Sequence, residues 1–300
     1  MSDTRKNGKA TPSPGSLSRL GQFVVRHRRN RLLRGVAGMC RRYLNFYGNL
    51  SYDLNSNGEA FVLRTVAGFR PKVLFDVGAN VGDWTMAAKS TCPDATIHSF
   101  EIAAPTYQQL AANTRSLKDV HCNNIGLSDQ PGSIQLRHYD EFPALTTHLD
   151  YPHPFASSPI TAQVTTGDDY AASHGVHHID LLKMDVEGME ASVLHGFSEM
   201  FSRHAIDLVQ FEYGQVNIVS RFLLRDFHEF FREHGYVMGK IFPDYVDFRD
   251  YNFRDEDFMG PNYLACHNSK LDYLHALSGA GSSQVVPATT VANDLLSSSS

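Results

Sequence analysis

Short apolar runs alternate with stretches of helical spacing through the middle of this chain. Residues 73–78, 95–100, 120–127, 179–184 and 207–211 read as strands. Helical patterns follow at 82–90, 105–115, 168–174, around Val193 and Leu194, and at 222–234. Gly235 and Tyr236 open a sixth strand to about 242, and 262–267 reads as a last one. Strands alternating with helices predict a parallel sheet covered on both faces. The expected fold is therefore α/β and Rossmann-like, with a mostly parallel seven-stranded sheet. Residues 133–138 and 160–165 alternate apolar and polar positions and predict an inserted β-hairpin. The loop between them, 139–159, is long for a compact domain, and such loops are often lids. Residues 243–261 read as a second surface loop.

The flanks differ. Residues 1–16 and 278–300 are rich in small polar residues and are expected to be disordered. Between 17 and 47, Leu32, Leu33, Val36, Cys40, Tyr43, Leu44 and Tyr47 recur at three- and four-residue steps with arginines between them. This predicts an amphipathic basic helix, broken at Gly35 or Gly38. A further helix is expected over 59–70. The domain plan is thus a basic helical segment at 17–70 and one catalytic domain at 71–270.

Charge sharpens that plan. Residues 1–42 hold 11 of the 27 Lys and Arg with one acid, Asp3, so this segment carries +10 and the remainder −15. An acidic body argues against a nucleic-acid channel, which needs clustered cations. The Arg-rich helix suits peripheral contact with a membrane surface or anionic partner, or an edge helix with a solvated Arg face. Cys40, Cys92, Cys122 and Cys266 form no C-x-x-C pair and read as free thiols of a reducing compartment. No apolar run has the length of a membrane span, and the N-terminus lacks a signal-peptide pattern, so a cytoplasmic location is expected.

The candidate chemistry clusters where strands end. Residues 73–84, VLFDVGANVGDW, read as strand, tight turn and helix. The spacing Gly78-x-x-x-Gly82 is neither a dinucleotide fingerprint nor a phosphate-binding P-loop. With Asp76 ahead of Gly78 and Asn80 between the glycines, it suits an adenosine-type pocket for S-adenosylmethionine. Glu101 lies 19 residues beyond Gly82, where an acid accepts hydrogen bonds from both ribose hydroxyls. Ser128 and Asp129, after the third strand, are candidates for the adenine amino group. Asp185 and Glu187 follow the fourth strand. Lys183, two positions before Asp185, points to the same face of that strand and can hold its carboxylate. Glu190, three residues past Glu187, raises the alternative of a metal held by Asp185, Glu187 and Glu190; an acidic helix start explains it as well, and no metal is assigned. Glu212, Tyr213 and Asn217, at the fifth strand's end, are assigned to substrate. His148 and His153 in the long loop are further candidate bases.

FDVGANVGDW at 75–84, SFE at 99–101, GLSD at 126–129, LLKMDVEGMEASVLHG at 181–196, QFEYG at 210–214 and NYLA at 262–265 together resemble the FkbM-type S-adenosylmethionine-dependent methyltransferases. The resemblance runs in order over about 70–267, and Asn at position 80 is usual in that family's turn. It implies a class I methyltransferase fold and methyl transfer to oxygen, commonly a hydroxyl of a sugar, lipid-linked glycan or polyketide. Asp185 is then the first candidate to take or orient the hydroxyl proton, and Glu187 the second. Two other readings remain at this stage. An RNA ribose methyltransferase would need a basic face, and a non-catalytic S-adenosylmethionine-binding or membrane-tethered scaffold would use the Arg helix instead.

Overall fold

The computed structural model describes residues 16–139, 141–152 and 154–279. The expected disorder of 1–15 and 280–300, and the candidate base His153, lie outside the described residues. The chain divides after Gly48 into two compact units.

The first unit holds helices α1 (Ser16–Arg26) and α2 (Arg31–Tyr47). The expected helix breaks, but at 27–30 rather than at either glycine. Asn30 takes an extended conformation and its side chain accepts from Leu32 N at 2.8 Å, capping α2. Asparagine at that position satisfies an N–H the helix start leaves unpaired. Gly35 and Gly38 continue the helix with open space around them.

Residues 49–70, expected to belong with the basic segment, fall in the second unit. Helix α3 (Glu59–Gly68) buries Val62, Leu63 and Val66 against Leu74, Leu181, Leu208 and Leu264. Each such side chain contributes about 1.5–3 kcal/mol by leaving water.

The second unit is organised by strands β1 (Val73–Val77), β2 (Thr96–Phe100), β3 (Val120–Asn123), β4 (Gly126–Leu127), β5 (Gly132–His138), β6 (Ser158–Thr165), β7 (Ile179–Met184), β8 (Ile206–Glu212), β9 (Tyr236–Phe242), β10 (Tyr245–Phe248) and β11 (Asn262–His267). Helices α4 (Asp83–Thr91), α5 (Ala104–Thr114), α6 (Gly167–Ser173), α7 (Glu190–His195), α8 (Ser198–Ser202), α9 (Val216–Ser220), α10 (Leu224–Glu233) and α11 (Leu271–Leu277) lie between and after them. The main sheet runs β10-β9-β11-β8-β7-β1-β2-β3. Its centre is parallel, while β11 is antiparallel to both β8 and β9. Alternate residues serve opposite faces: Phe75 and Val77 of β1 join one apolar core, and Leu74 joins the other.

Two differences from expectation have local causes. The sheet has eight strands because 245–248, expected as loop, pairs antiparallel with β9 and buries Val246 and Phe248. The expected strand 120–127 splits in two, since Asn123 and Asn124 turn their amides to the carbonyls of Ser99, Glu101 and Ile102. The second piece, β4, then joins β6 and β5 in a separate three-stranded sheet around the predicted hairpin.

Candidate active site

From β1 the chain moves to β2 and β3 on one side, then returns to β7 and β8 on the other. At such a reversal the loops leave in opposite directions and a crevice opens at the carboxyl ends of the strands. A cavity of about 750 Å³ lies here. Val77, Gly78 and Asn80 wall it after β1, Phe100, Glu101 and Ile102 after β2, and Gly126 and Leu127 on β4. Asp185, Val186 and Glu187 wall it after β7, and Glu212 with Gln215 and Val216 after β8.

The turn after β1 is set by backbone geometry. Gly78 has φ +79°, and a Cβ there would fall 1.8 Å from the carbonyl oxygen of Asp185. Only glycine lets β1 and β7 close on each other at this point. Asn80, at φ +47°, donates its N–H to Glu101 Oε2 at 2.9 Å. The Asn80 Oδ1 atom is buried with no hydrogen-bond partner among the described residues. Gly82, predicted to touch the cofactor, does other work: a Cβ there would meet Leu110 and Thr114, so it seats α4 against α5, and it is not on the cavity wall.

Asp76 is likewise not a wall residue. Its carboxylate is fully buried, accepting from Thr85 Oγ1 at 2.6 Å and pairing with Lys183 Nζ at 3.1 Å. Lys183 also reaches Asp185 Oδ2 at 3.6 Å and donates to Gly78 O at 3.2 Å. Burial alone would depress the ammonium pKa, but the carboxylates of Asp76, Asp185 and Glu59 override it and raise the value. The Lys183 ammonium thus ties Asp76, Asp185 and the Gly78 turn together.

Glu101 is buried, and its two oxygens accept from Asn80 N and Ala103 N, both at 2.9 Å. Burial pushes its pKa up to about 7 against the opposing pull of those N–H groups. A carboxylate has about four lone-pair sites, so two remain for a ligand. Ser128 and Asp129 do not reach this end of the cavity. Ser128 donates to Asp129 Oδ1, Asp129 faces solvent, and Gly126 and Leu127 take the wall instead. The break at Asn123–Asn124 shifts the register and explains the miss.

At the other end stand three carboxylates. Oxygens of Asp185, Glu187 and Glu212 lie within 4.8 Å of one another. Burial, then the neighbouring charges, pushes Glu187 up to about 8 and lifts Glu212 well above the usual carboxylate range. Like charges this close cannot all ionise cheaply, so the group either shares protons or holds a cation. The alternative set with Glu190 does not form: Glu190 turns inward to accept from Gly188 N at 3.2 Å, and Glu212 takes its place. Glu187 sits at φ +49°, a strained conformation of the kind that clusters at functional sites.

Two of the three predicted substrate residues are structural. Tyr213 is fully buried, with its hydroxyl donated to Glu256 at 2.6 Å. Asn217 accepts from Gly214 N and donates to Phe222 O, closing the turn before α10. Glu212 alone faces the cavity. The long loop does cover the site: Leu145, Thr147 and Tyr151 join the wall, and Thr147 Oγ1 donates to Glu187 O at 2.8 Å. His148 is exposed and off the wall. Tyr52, ahead of α3, is a wall residue that no sequence motif marks.

A parallel sheet with this reversal, an acid after β2 and acids after β7 defines a Rossmann-like methyltransferase class of site. A family model described as "Methyltransferase FkbM domain" matches residues 76–238, more than half of the chain, and the chain belongs to that family. It is 27% identical over 145 residues to "Methyltransferase 1" of Beauveria bassiana (strain ARSEF 2860), covering 42% of this chain and 58% of that protein. It is 28% identical over 155 residues to "31-O-demethyl-FK506 methyltransferase FkbM" of Streptomyces tacrolimicus, covering 42% and 60%. The chain thus spans about three fifths of the length of these curated relatives. Among solved structures, a methyltransferase FkbM from Methylobacillus flagellatus KT aligns with TM-score 0.39 at 16% identity, covering 65% of this chain and 43% of that one.

Proposed function

We propose that this protein is an S-adenosylmethionine-dependent O-methyltransferase acting on a hydroxyl of a sugar, glycan or other secondary metabolite. One observation carries the reading: Glu101 and the carboxylates of Asp185, Glu187 and Glu212 face a single cavity from neighbouring strand ends. Membership of the FkbM family agrees with it.

The residues fit the cofactor. Glu101 has acceptor sites for the two ribose hydroxyls, and the unpartnered Asn80 Oδ1 offers a further acceptor on the same turn. Phe100, Ile102, Leu127 and Leu136 provide apolar surface for a base. When bound, S-adenosylmethionine supplies a methyl group on a sulfonium, already activated for displacement. What this chain adds is positioning and a place for the acceptor's proton. Asp185, held by Lys183, orients the acceptor hydroxyl. Glu187, pushed up to about 8 and so a stronger base than an ordinary carboxylate, would accept the acceptor's hydroxyl proton. Thr147, whose hydroxyl donates to the Glu187 carbonyl, ties the long loop to this turn.

Isothermal titration with S-adenosylmethionine tests the reading. The expected result is one site whose affinity rises as pH passes upward through about 7, where Glu101 loses its proton and gains acceptor capacity. Glu101→Ala is expected to weaken binding at least about tenfold, the loss of a charge-assisted pair of hydrogen bonds. Absence of binding to the intact protein overturns the cofactor assignment.

A further inference from the structure

The first unit lies outside the family match. On α2, at about 100° per residue, Leu32, Val36, Met39, Tyr43, Phe46 and Tyr47 fall on one side of the helix, Arg34 and Arg41 fall opposite, and Arg31 and Arg42 lie on the flank beside Phe46. Among the described residues nothing buries the apolar side: Leu32 is 76% exposed, Met39 65% and Phe46 82%, and α2 buries no residue. Helix α1 places Leu20, Phe23 and Val24 on one side, with Arg19 and Arg26 on its flank. Eight arginines lie between Arg19 and Arg42, and no acid occurs from position 4 to position 52.

We propose that α1 and α2 are a docking surface for an anionic lipid bilayer, lying in the headgroup layer with the apolar side down. A large amphipathic separation with low mean hydropathy, arginines on the polar side and aromatic residues on the other is what such a layer accepts. No described helix is long and apolar enough to cross a membrane, so the helices lie on the surface. Tyr43 and Tyr47, with ring centroids 6.2 Å apart, present apolar rings and polar hydroxyls suited to the boundary between tails and headgroups. Arginine stems can reach from the helix flanks to lipid phosphates.

Charge selects this occupant over others. A second copy docked through the same two helices would set arginine against arginine, because residues 4–52 hold no acid. Nucleic acid would use the arginines and leave the row from Leu32 to Phe46 in water. A bilayer rich in anionic lipid satisfies both sides at once, with each arginine near the surface adding attraction. The remainder of the chain, at −15, is repelled by the same surface, so attraction is confined to this segment.

Flotation of the full chain with vesicles tests the proposal, using phosphatidylcholine alone and phosphatidylcholine mixed with phosphatidylglycerol. Binding to the mixed vesicles, weakened by salt, is expected. The variant Leu32→Ser/Met39→Ser/Phe46→Ser and the variant Arg34→Glu/Arg41→Glu are each expected to lower partitioning at least about tenfold. Titration with S-adenosylmethionine and thermal unfolding are expected to be unchanged in both, which separates lost docking from lost folding. Equal binding to neutral vesicles, or binding that survives either variant, overturns the proposal. So does a wild-type protein that ignores vesicles and binds polyglutamate or DNA instead. A fall in the unfolding temperature of the apolar variant without vesicle binding by the wild type reassigns the face to internal packing.

Discussion

Asp185 and Glu187 are two residues apart and differ in surroundings. Asp185 is half-exposed at the side chain and tied to Lys183, whereas Glu187 pairs with no cation among the described residues and is pushed up to about 8 by burial and by its acidic neighbours. The division of labour predicts different mutant behaviour. Asp185→Asn is expected to keep cofactor affinity in titration and to lose turnover with an identified acceptor by about 10²-fold or more, the usual scale of general-base and positioning effects. Turnover of the wild type is expected to climb as pH rises through about 8, where Glu187 becomes ionised, and Glu187→Gln to flatten that profile. Full activity in both variants removes these carboxylates from the mechanism. At this scale the sequence was informative about acids at strand ends, Asp76, Glu101, Asp185, Glu187 and Glu212 among them. It was silent about which of those carboxylates turn inward. Asp76 and Asp185 both follow the pattern of a strand-end acid, yet one is sealed under Thr85 and Lys183 and the other opens on the cavity.

Among elements, the turn between β1 and α4 carries the tightest constraint. Gly78 approaches the backbone of Asp185, and its N–H and that of Ala79 both bond Phe100 O, so one short turn ties β1, β2 and β7 together. Gly78→Ala must place a Cβ into a backbone carbonyl as well as hold a left-handed φ, which alone costs about 1–2 kcal/mol. Denaturant unfolding is expected to show a loss larger than that figure, with cofactor affinity reduced in parallel. A smaller loss means the strand ends separate easily. The glycine was visible in the motif, and its turn conformation followed from it. That the partner would be β7, 105 residues away at Lys183, came only from the sheet order. The strand β10 shows the reverse case: Val246 and Phe248 alternate with Tyr245 and Asp247, a strand pattern that the surrounding acids and aromatics hid.

For the whole molecule, the buried acids make stability depend on pH in a definite direction. Glu101 and Glu190 are raised to about 7 and Glu187 to about 8 from 4.5, so the folded state binds more protons than the unfolded state between those values. Stability from these groups is present at low pH and is lost as pH rises toward 8. His98 and His228, lowered to about 4 by burial, act oppositely: they withdraw stability as pH falls below 6.5. Above 6.5 the carboxylates therefore act alone among these groups. The unfolding temperature of the ligand-free protein is expected to fall by a few degrees from pH 6.5 to about 8, with Glu187→Gln reducing the slope. A flat melting profile over that range refutes the picture of a protonated acidic site.

The sequence by itself determined the alternation of most strands and helices, the family, and the split between a basic helical segment and an acidic body. Those properties are written in local periodicity, glycine placement and charge count, which need no knowledge of distant partners. The tertiary structure decided which acids share a cavity, that Lys183 serves as a clamp, that Tyr213 and Asn217 are internal, and that β4 leaves the main sheet. Each of these depends on contacts between residues far apart in the chain, where burial and neighbouring charge set what a side chain can do.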